Sequence, residues 1–199
     1  MERLTIEVGP FAVNSSIVHD GRKAYVIDPG AEGERLVSLI SSKGLELECI
    51  LLTHAHFDHI GAVAALKAAF PGAGVFVPPG DLQVYSHPMN QLPPEYPPVK
   101  LPEGVLPEFE NGAIEVIPSP GHTPGGVCYY LSADKLLFSG DTLFAGSVGR
   151  TDLPGGHMPT LMNSLAALKR LPDDTLVIPG HGPATTIGEE KANNPFLQV

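Results

Sequence analysis

The stretch Thr53-His54-Ala55-His56-Phe57-Asp58-His59 holds three imidazoles and a carboxylate within six positions. Imidazole nitrogen and carboxylate oxygen are donors that first-row divalent metals accept, zinc, iron and manganese among them. An apolar run, Cys49-Ile50-Leu51-Leu52, leads into the stretch, and Gly61-Ala62-Val63-Ala64-Ala65-Leu66 follows it. This order reads as a buried strand, a loop and then a helix. Side chains two apart on an extended segment share a face, so His54 and His56 can converge on one ion. The turn through Phe57 would aim Asp58 and His59 at a different point, most naturally a second ion.

Three other places offer matching donors. Ser119-Pro120-Gly121-His122-Thr123-Pro124 sets a histidine in a Gly/Pro turn between two strand-like runs. Leu136-Leu137-Phe138-Ser139-Gly140-Asp141 ends an apolar run on an aspartate, and Leu176-Val177-Ile178-Pro179-Gly180-His181 repeats the arrangement with a histidine. Loops at strand ends are where a rigid sheet presents functional side chains. The shared context marks the four segments as parts of one site.

Taken together, His54, His56, Asp58, His59, His122, Asp141 and His181 resemble the ligand set of the metallo-β-lactamase fold superfamily. More narrowly, the chain resembles its small glyoxalase II-like hydroxyacylglutathione hydrolases. The likeness runs from about Thr5 to Phe196 and includes Asp28-Pro29-Gly30, Gly149-Arg150-Thr151-Asp152-Leu153-Pro154-Gly155-Gly156 and Asn194-Pro195-Phe196-Leu197. The resemblance implies an α/β (α+β) fold of metallo-β-lactamase type, a four-layer αββα sandwich, and residues 1–199 are read as a single domain. It implies two divalent metal ions, zinc or iron/manganese, with His54, His56 and His122 on one and Asp58, His59 and His181 on the other. Asp141 would bridge them, since its two oxygens can each face a cation and its charge offsets their repulsion. The activity implied is hydrolysis of a thioester, S-(2-hydroxyacyl)glutathione foremost, by a metal-bridging hydroxide, with Asp58 also a candidate to handle the proton. No serine or cysteine nucleophile is required, and thiolate is a leaving group needing little acid assistance.

Other positions carry open alternatives. Gly149-Arg150 matches a Gly-Lys that binds glutathione in the longer enzymes, so Arg150 is a candidate substrate-binding residue able to clamp a carboxylate. A salt bridge to Asp152 is the competing reading, and Thr151-Asp152-Leu153 departs from the aromatic pair of those enzymes. The same Gly-Arg-Thr-Asp segment resembles persulfide dioxygenases of this fold. The alternative function is therefore a mononuclear iron enzyme using two imidazoles and one carboxylate. Asp28 either hydrogen-bonds a metal-site residue or simply closes a turn. His157 and His19 are read as surface residues. Eighteen residues follow His181, so the helical C-terminal domain of the longer enzymes is not expected.

The rest of the chain must position these groups. Its 199 residues, 43% hydrophobic, suffice for one well-buried domain. A net charge of −10 disfavours grips on nucleic acid or anionic membranes, both of which rely on basic side chains. The expected partner is a small-molecule thioester, with no nucleic acid and no membrane; a nuclease on this fold ranks low. No apolar run approaches the ~20 residues that span a bilayer, and residues 1–7 lack the apolar core of a secretion signal. Cys49 and Cys128 sit in apolar runs and read as buried reduced thiols in a cytoplasmic protein, either a monomer or a small homo-oligomer. A metal-dependent binding protein without turnover is the competing class.

Strands are expected at residues 4–8, 12–18, 24–27, 49–52, 74–77, 113–117, 127–131, 135–138 and 176–178, and helices at 33–43, 61–70, 81–86 and 161–171. The prolines at 88, 93, 94, 97, 98, 102 and 107 predict no regular structure there, leaving a lid or a surface crossover.

Overall fold

The computed structural model describes residues 1–88, 99–100 and 114–198. They fall into two compact units, one running to residue 100 and the other beginning at residue 114.

The first unit opens with three antiparallel strands, β1 (Glu2–Val8), β2 (Val13–His19) and β3 (Lys23–Ile27). Helix α1 (Gly33–Ser42) then returns the chain to β4 (Glu46–Leu51), which lies parallel to β3. Such parallel neighbours need a crossover connection, here a helix. A second crossover carries α2 (Phe57–Ile60) and α3 (Val63–Ala69) and leads to β5 (Gly74–Val77). Helix α4 (Leu82–Tyr85) precedes β6 (Val99–Lys100), and the six strands form one sheet in the order β1-β2-β3-β4-β5-β6. Leu36 and Ile40 of α1 and Val63 and Leu66 of α3 pack with Ile17, Val26, Ile50 and Val75 in one buried core. With parallel neighbours on both sides, β4 presents the segment after it at the carboxyl end of the sheet, where open α/β folds bind ligands.

The second unit contains β7 (Glu115–Pro118), β8 (Val127–Leu131) and β9 (Leu136–Gly140) as an antiparallel set. A two-stranded hairpin, β10 (Leu143–Phe144) with β11 (Ser147–Val148), follows, and then α5 (Met158–Leu168). The chain continues through β12 (Leu176–Pro179), β13 (Thr185–Thr186) and α6 (Ile187–Asn193), giving the sheet order β13-β12-β9-β8-β7. Leu161, Leu165 and Leu168 of α5 form a core with Leu137, Val177 and Ile187.

Register decides what this sheet displays. β12 runs parallel to β9 with Pro179 opposite Gly140, and the Gly180 amide donates to the Gly140 carbonyl at 2.8 Å. Residues 141 and 181 therefore leave the same edge side by side. Because β8 is antiparallel to β9, the loop entering β8 lies at that edge too.

Two sheets with helices agree with the α/β class, and some details differ from expectation. The helix expected at 61–70 begins at Val63, and a separate turn of helix, α2, covers Phe57–Ile60. They separate because the Ala62 amide donates to the Pro29 carbonyl. α5 starts three residues before the expected boundary, with a proline in its first turn, where the missing N–H costs nothing. His19 is not an exposed loop residue. It ends β2 at 4% exposure, its Nδ1 accepts from the Gly21 amide, and its Nε2 stands 3.7 Å from Glu2 Oε2. Within the proline-rich stretch, Val99 and Lys100 do form a short strand, paired with Phe76 and Val77; the remainder of the expected loop lies outside the described residues. Cys49 and Cys128 are buried and joined in no disulfide, as expected.

Candidate metal centre

In the first unit the donors follow directly from β4. His54 and His59 are buried, whereas His56 and Asp58 are partly exposed. The rings of His54 and His56 stand 4.8 Å apart and nearly perpendicular, and those of His54 and His59 4.1 Å apart. His56 is the extended residue just before α2, and the helical turn brings Asp58 Oδ2 to 3.9 Å from His59 Nε2.

Asp28 organises this cluster. Its Oδ1 accepts from the Thr53 amide at 2.8 Å, and its Oδ2 accepts from the Thr53 hydroxyl at 2.6 Å and from His59 Nδ1 at 3.0 Å. The Thr53 hydroxyl has spent its single proton on Asp28, so toward His54 Nδ1, 3.1 Å away, it can only accept. Both buried imidazoles therefore carry their proton on Nδ1 and keep a lone pair on Nε2. Donor atoms of Asp28, His54 and His59 lie within 4.8 Å of one another, but three accepted hydrogen bonds make Asp28 the orienting group and not a ligand. Of its two sequence readings, hydrogen bonding to a metal-site residue is the one observed. Asp28 holds φ at 49°, a left-handed conformation unusual for a side-chain-bearing residue, and these three bonds offset its strain.

A second buried carboxylate, Asp81, accepts from the amide of Ala55, between His54 and His56, at 3.0 Å. Gly30 supplies the fit behind α2: a Cβ there would stand 1.8 Å from the Asp58 carbonyl oxygen.

In the second unit His122, Asp141 and His181 stand at one sheet edge. Asp141 Oδ2 lies 3.5 Å from His122 Nε2 and 3.7 Å from His181 Nε2. One oxygen, Oδ2, thus lies within 4 Å of a ring nitrogen of both imidazoles. His122 Nδ1 donates to the Arg150 carbonyl at 2.8 Å, again leaving the lone pair on Nε2. Gly149 lets that strand pass, since a Cβ there would meet the Asp141 carbonyl oxygen at 1.8 Å and His122 Cβ at 3.2 Å. The Arg150 side chain is exposed and forms a two-point fork with Asp152, Nε to Oδ1 at 2.7 Å and the terminal nitrogen to Oδ2 at 2.6 Å. The guanidinium holds the Asp152 carboxyl down at about 2. Arg150 thus supports His122 through its backbone, while its side chain is engaged by Asp152. His157, exposed as expected, bonds Thr160.

These donors suit divalent metal. All are nitrogen or carboxylate oxygen, and three imidazoles are tautomerically fixed by a hydrogen bond on the far ring nitrogen, as metal-ligating histidines generally are. Separations of 3.5, 3.7 and 3.9 Å exceed good hydrogen bonds. They approach the spacing of about 3.4 Å between two donors on one tetrahedral cation with bonds of about 2.1 Å. Sequence reading named these candidate donors and missed the groups that hold them. Thr53, Asp81 and the Arg150 carbonyl have no spacing signature, and a backbone carbonyl has no residue-type signature at all.

A family model for the metallo-β-lactamase superfamily matches residues 8–181, a span that includes every one of these donors. The chain belongs to the metallo-β-lactamase superfamily. One superfamily relative, hydroxyacylglutathione hydrolase GloC of Haemophilus influenzae, is 39% identical over 207 residues covering 96% of each chain. Among solved structures, the BLEG-1 B3 metallo-β-lactamase matches with a TM-score of 0.89 at 36% identity, covering 100% of both chains. TTHA1623, solved in a di-iron-bound form, matches with a TM-score of 0.84 at 42% identity, covering 98% of this chain and 100% of that one. No helix among the described residues of this metallo-β-lactamase-fold protein is long and apolar enough to cross a membrane.

Proposed function

We propose that the protein is a binuclear metallohydrolase of thioesters, with S-(2-hydroxyacyl)glutathione as the leading substrate. His54, His56 and His122 would hold one ion, Asp58, His59 and His181 the other, and Asp141 both. The observation that carries the reading is that His54, His59 and His122 are each held by a hydrogen bond at Nδ1, the ring nitrogen remote from Nε2. The thioester preference is supported by the GloC relative, similar along nearly its whole length.

Divalent ions, when bound, would supply Lewis acidity at the acyl oxygen and lower the pKa of a water to about 7. The chain's own groups orient the site. Asp28 and the Arg150 carbonyl accept from Nδ1 of His59 and His122 and so fix the orientation of both rings. Asp141 and Asp58 contribute negative charge that offsets the cations. Cys49 is no competing nucleophile, because burial, with help from the Glu48 charge, raises its thiol far above neutrality.

The test is a rate measurement on protein whose metal content is determined on the same sample. Two ions per chain with turnover of S-lactoylglutathione support the proposal. One iron per chain, with oxygen consumed on glutathione persulfide, would favour the dioxygenase reading. Turnover of a cephalosporin in place of the thioester would place the activity with the β-lactamase neighbour. Full metallation without turnover of any of these would indicate a binding protein.

A further inference from the structure

A groove beside Asp58 has no role in the scheme so far. Its cavity, about 430 Å³, lies between the β1–β2 turn, the turn after β3 and the start of α2. Val8, Pro10, Phe11, Val13 and Phe57 supply apolar walls, and Asp58 itself is in the lining. Phe11 and Phe57 are the two most exposed large apolar residues described, at 54% and 53%, and their rings meet edge to face at 5.3 Å. Two aromatic rings held at the mouth of an apolar cavity mark a binding feature more than ordinary surface.

The groove is preformed. The Ala12 amide closes the β1–β2 turn onto the Gly9 carbonyl at 3.2 Å, with Gly9 and Ala12 both at positive φ. The Gly9 amide donates to Glu32 Oε1 at 3.0 Å, while Glu32 Oε2 pairs with Arg35, so the turn is tied to the start of α1.

We infer that this groove seats the acyl substituent of the thioester and sets a preference for bulky apolar acyl groups. The inference rests on the hydrolase reading. The lining selects the occupant: its only ionisable residues are Glu32, paired with Arg35, and Asp58, a proposed metal ligand, and it contains no lysine or arginine. Nothing in it can pair with the carboxylates of a glutathionyl moiety, which leaves a neutral apolar group as the part of the substrate that fits. A lactoyl group, with one methyl and one hydroxyl, leaves most of the space unfilled. A phenyl-bearing acyl group would fill it against the Phe11 ring.

The experiment compares S-lactoylglutathione with S-mandeloylglutathione on the metal-loaded enzyme, and calorimetric binding of mandelate with that of lactate. Filling an apolar pocket is worth about tenfold or more, so kcat/KM should favour mandeloyl by about tenfold and mandelate should bind more tightly than lactate. Both preferences should collapse toward unity in Phe11→Ala, survive in Phe11→Leu, and persist in Phe196→Ser, a control in the other unit. Thioester turnover with equal use of the two acyl groups, or a preference unchanged in Phe11→Ala, would overturn the inference and leave the hydrolase reading standing. Tighter mandelate binding that depends on Phe11, without turnover of either thioester, would sink the hydrolase reading and keep the groove as an apolar acid site.

Discussion

Asp28 shows how much a single carboxylate can fix. Its three accepted hydrogen bonds set the proton of His59 directly and that of His54 by way of Thr53. Asp28→Ala removes both oxygens and with them the acceptor for the Thr53 hydroxyl and for His59 Nδ1. His59 then loses its reason to keep its proton on Nδ1. Loss of such an orienting partner typically costs 10–100-fold in metal affinity, and a fall of that size is expected for this variant in chelator competition. Wild-type affinity would show that the carboxylate only closes a turn. Sequence alone left those two readings level. The partner, Thr53, is 25 residues away, and a polar side chain before a Pro-Gly turn looks the same with or without a distant partner.

The C-terminal helix acts at the scale of elements. Glu190 of α6 is buried; its Oε1 accepts from the Thr185 hydroxyl at 2.7 Å, and its Oε2 accepts from the Gly146 amide at 2.9 Å and from Asn194 Nδ2 at 2.7 Å. Asn194 Nδ2 also donates to the Ser147 carbonyl at 3.0 Å. Both contacts grip the turn of the β10–β11 hairpin, which leads into Gly149 and the carbonyl that holds His122. Glu190→Ala strips a charged acceptor from three donors, so a loss of about 2–3 kcal/mol of unfolding free energy is expected. Faster amide exchange at Gly146 should accompany it. The same destabilisation with Gly146 protection intact would show that α6 does not hold the hairpin. The short strands were not legible beforehand: β10, β11 and β13 have two residues each, too few to show a period. The signal for α6 was present, because Thr186-Ile187-Gly188-Glu189 has capping-box spacing and Thr186 Oγ1 accepts from the Glu189 amide. Gly188, a poor helix former, obscured it. Long apolar runs such as residues 127–131 were read to the residue, because a buried strand needs little beyond its own composition.

For the molecule as a whole, the proposed ions should act as ligands of the folded state alone. Adding metal to the stripped protein at about a hundred times its dissociation constant should then contribute about 2.7 kcal/mol and raise Tm. The proposed donors are drawn from both units, so amide exchange should slow around residues 54–59 and also around 122 and 181. Slowing confined to one set would mean that only that unit holds the metal. The donor types stood out in the sequence because few other roles gather three imidazoles and a carboxylate into six positions. What holds them there is ordinary backbone and hydroxyl chemistry, and so went unread. Two glycines illustrate the point. Gly30 and Gly149, from unrelated stretches, each pass so near the carbonyl of a donor aspartate that an added carbon would stand 1.8 Å from its oxygen. In a lineage drifting toward another metal or another substrate, histidines can be traded for other donors while the scaffold survives. Those two hydrogens have no substitute, so they form the least negotiable part of the design.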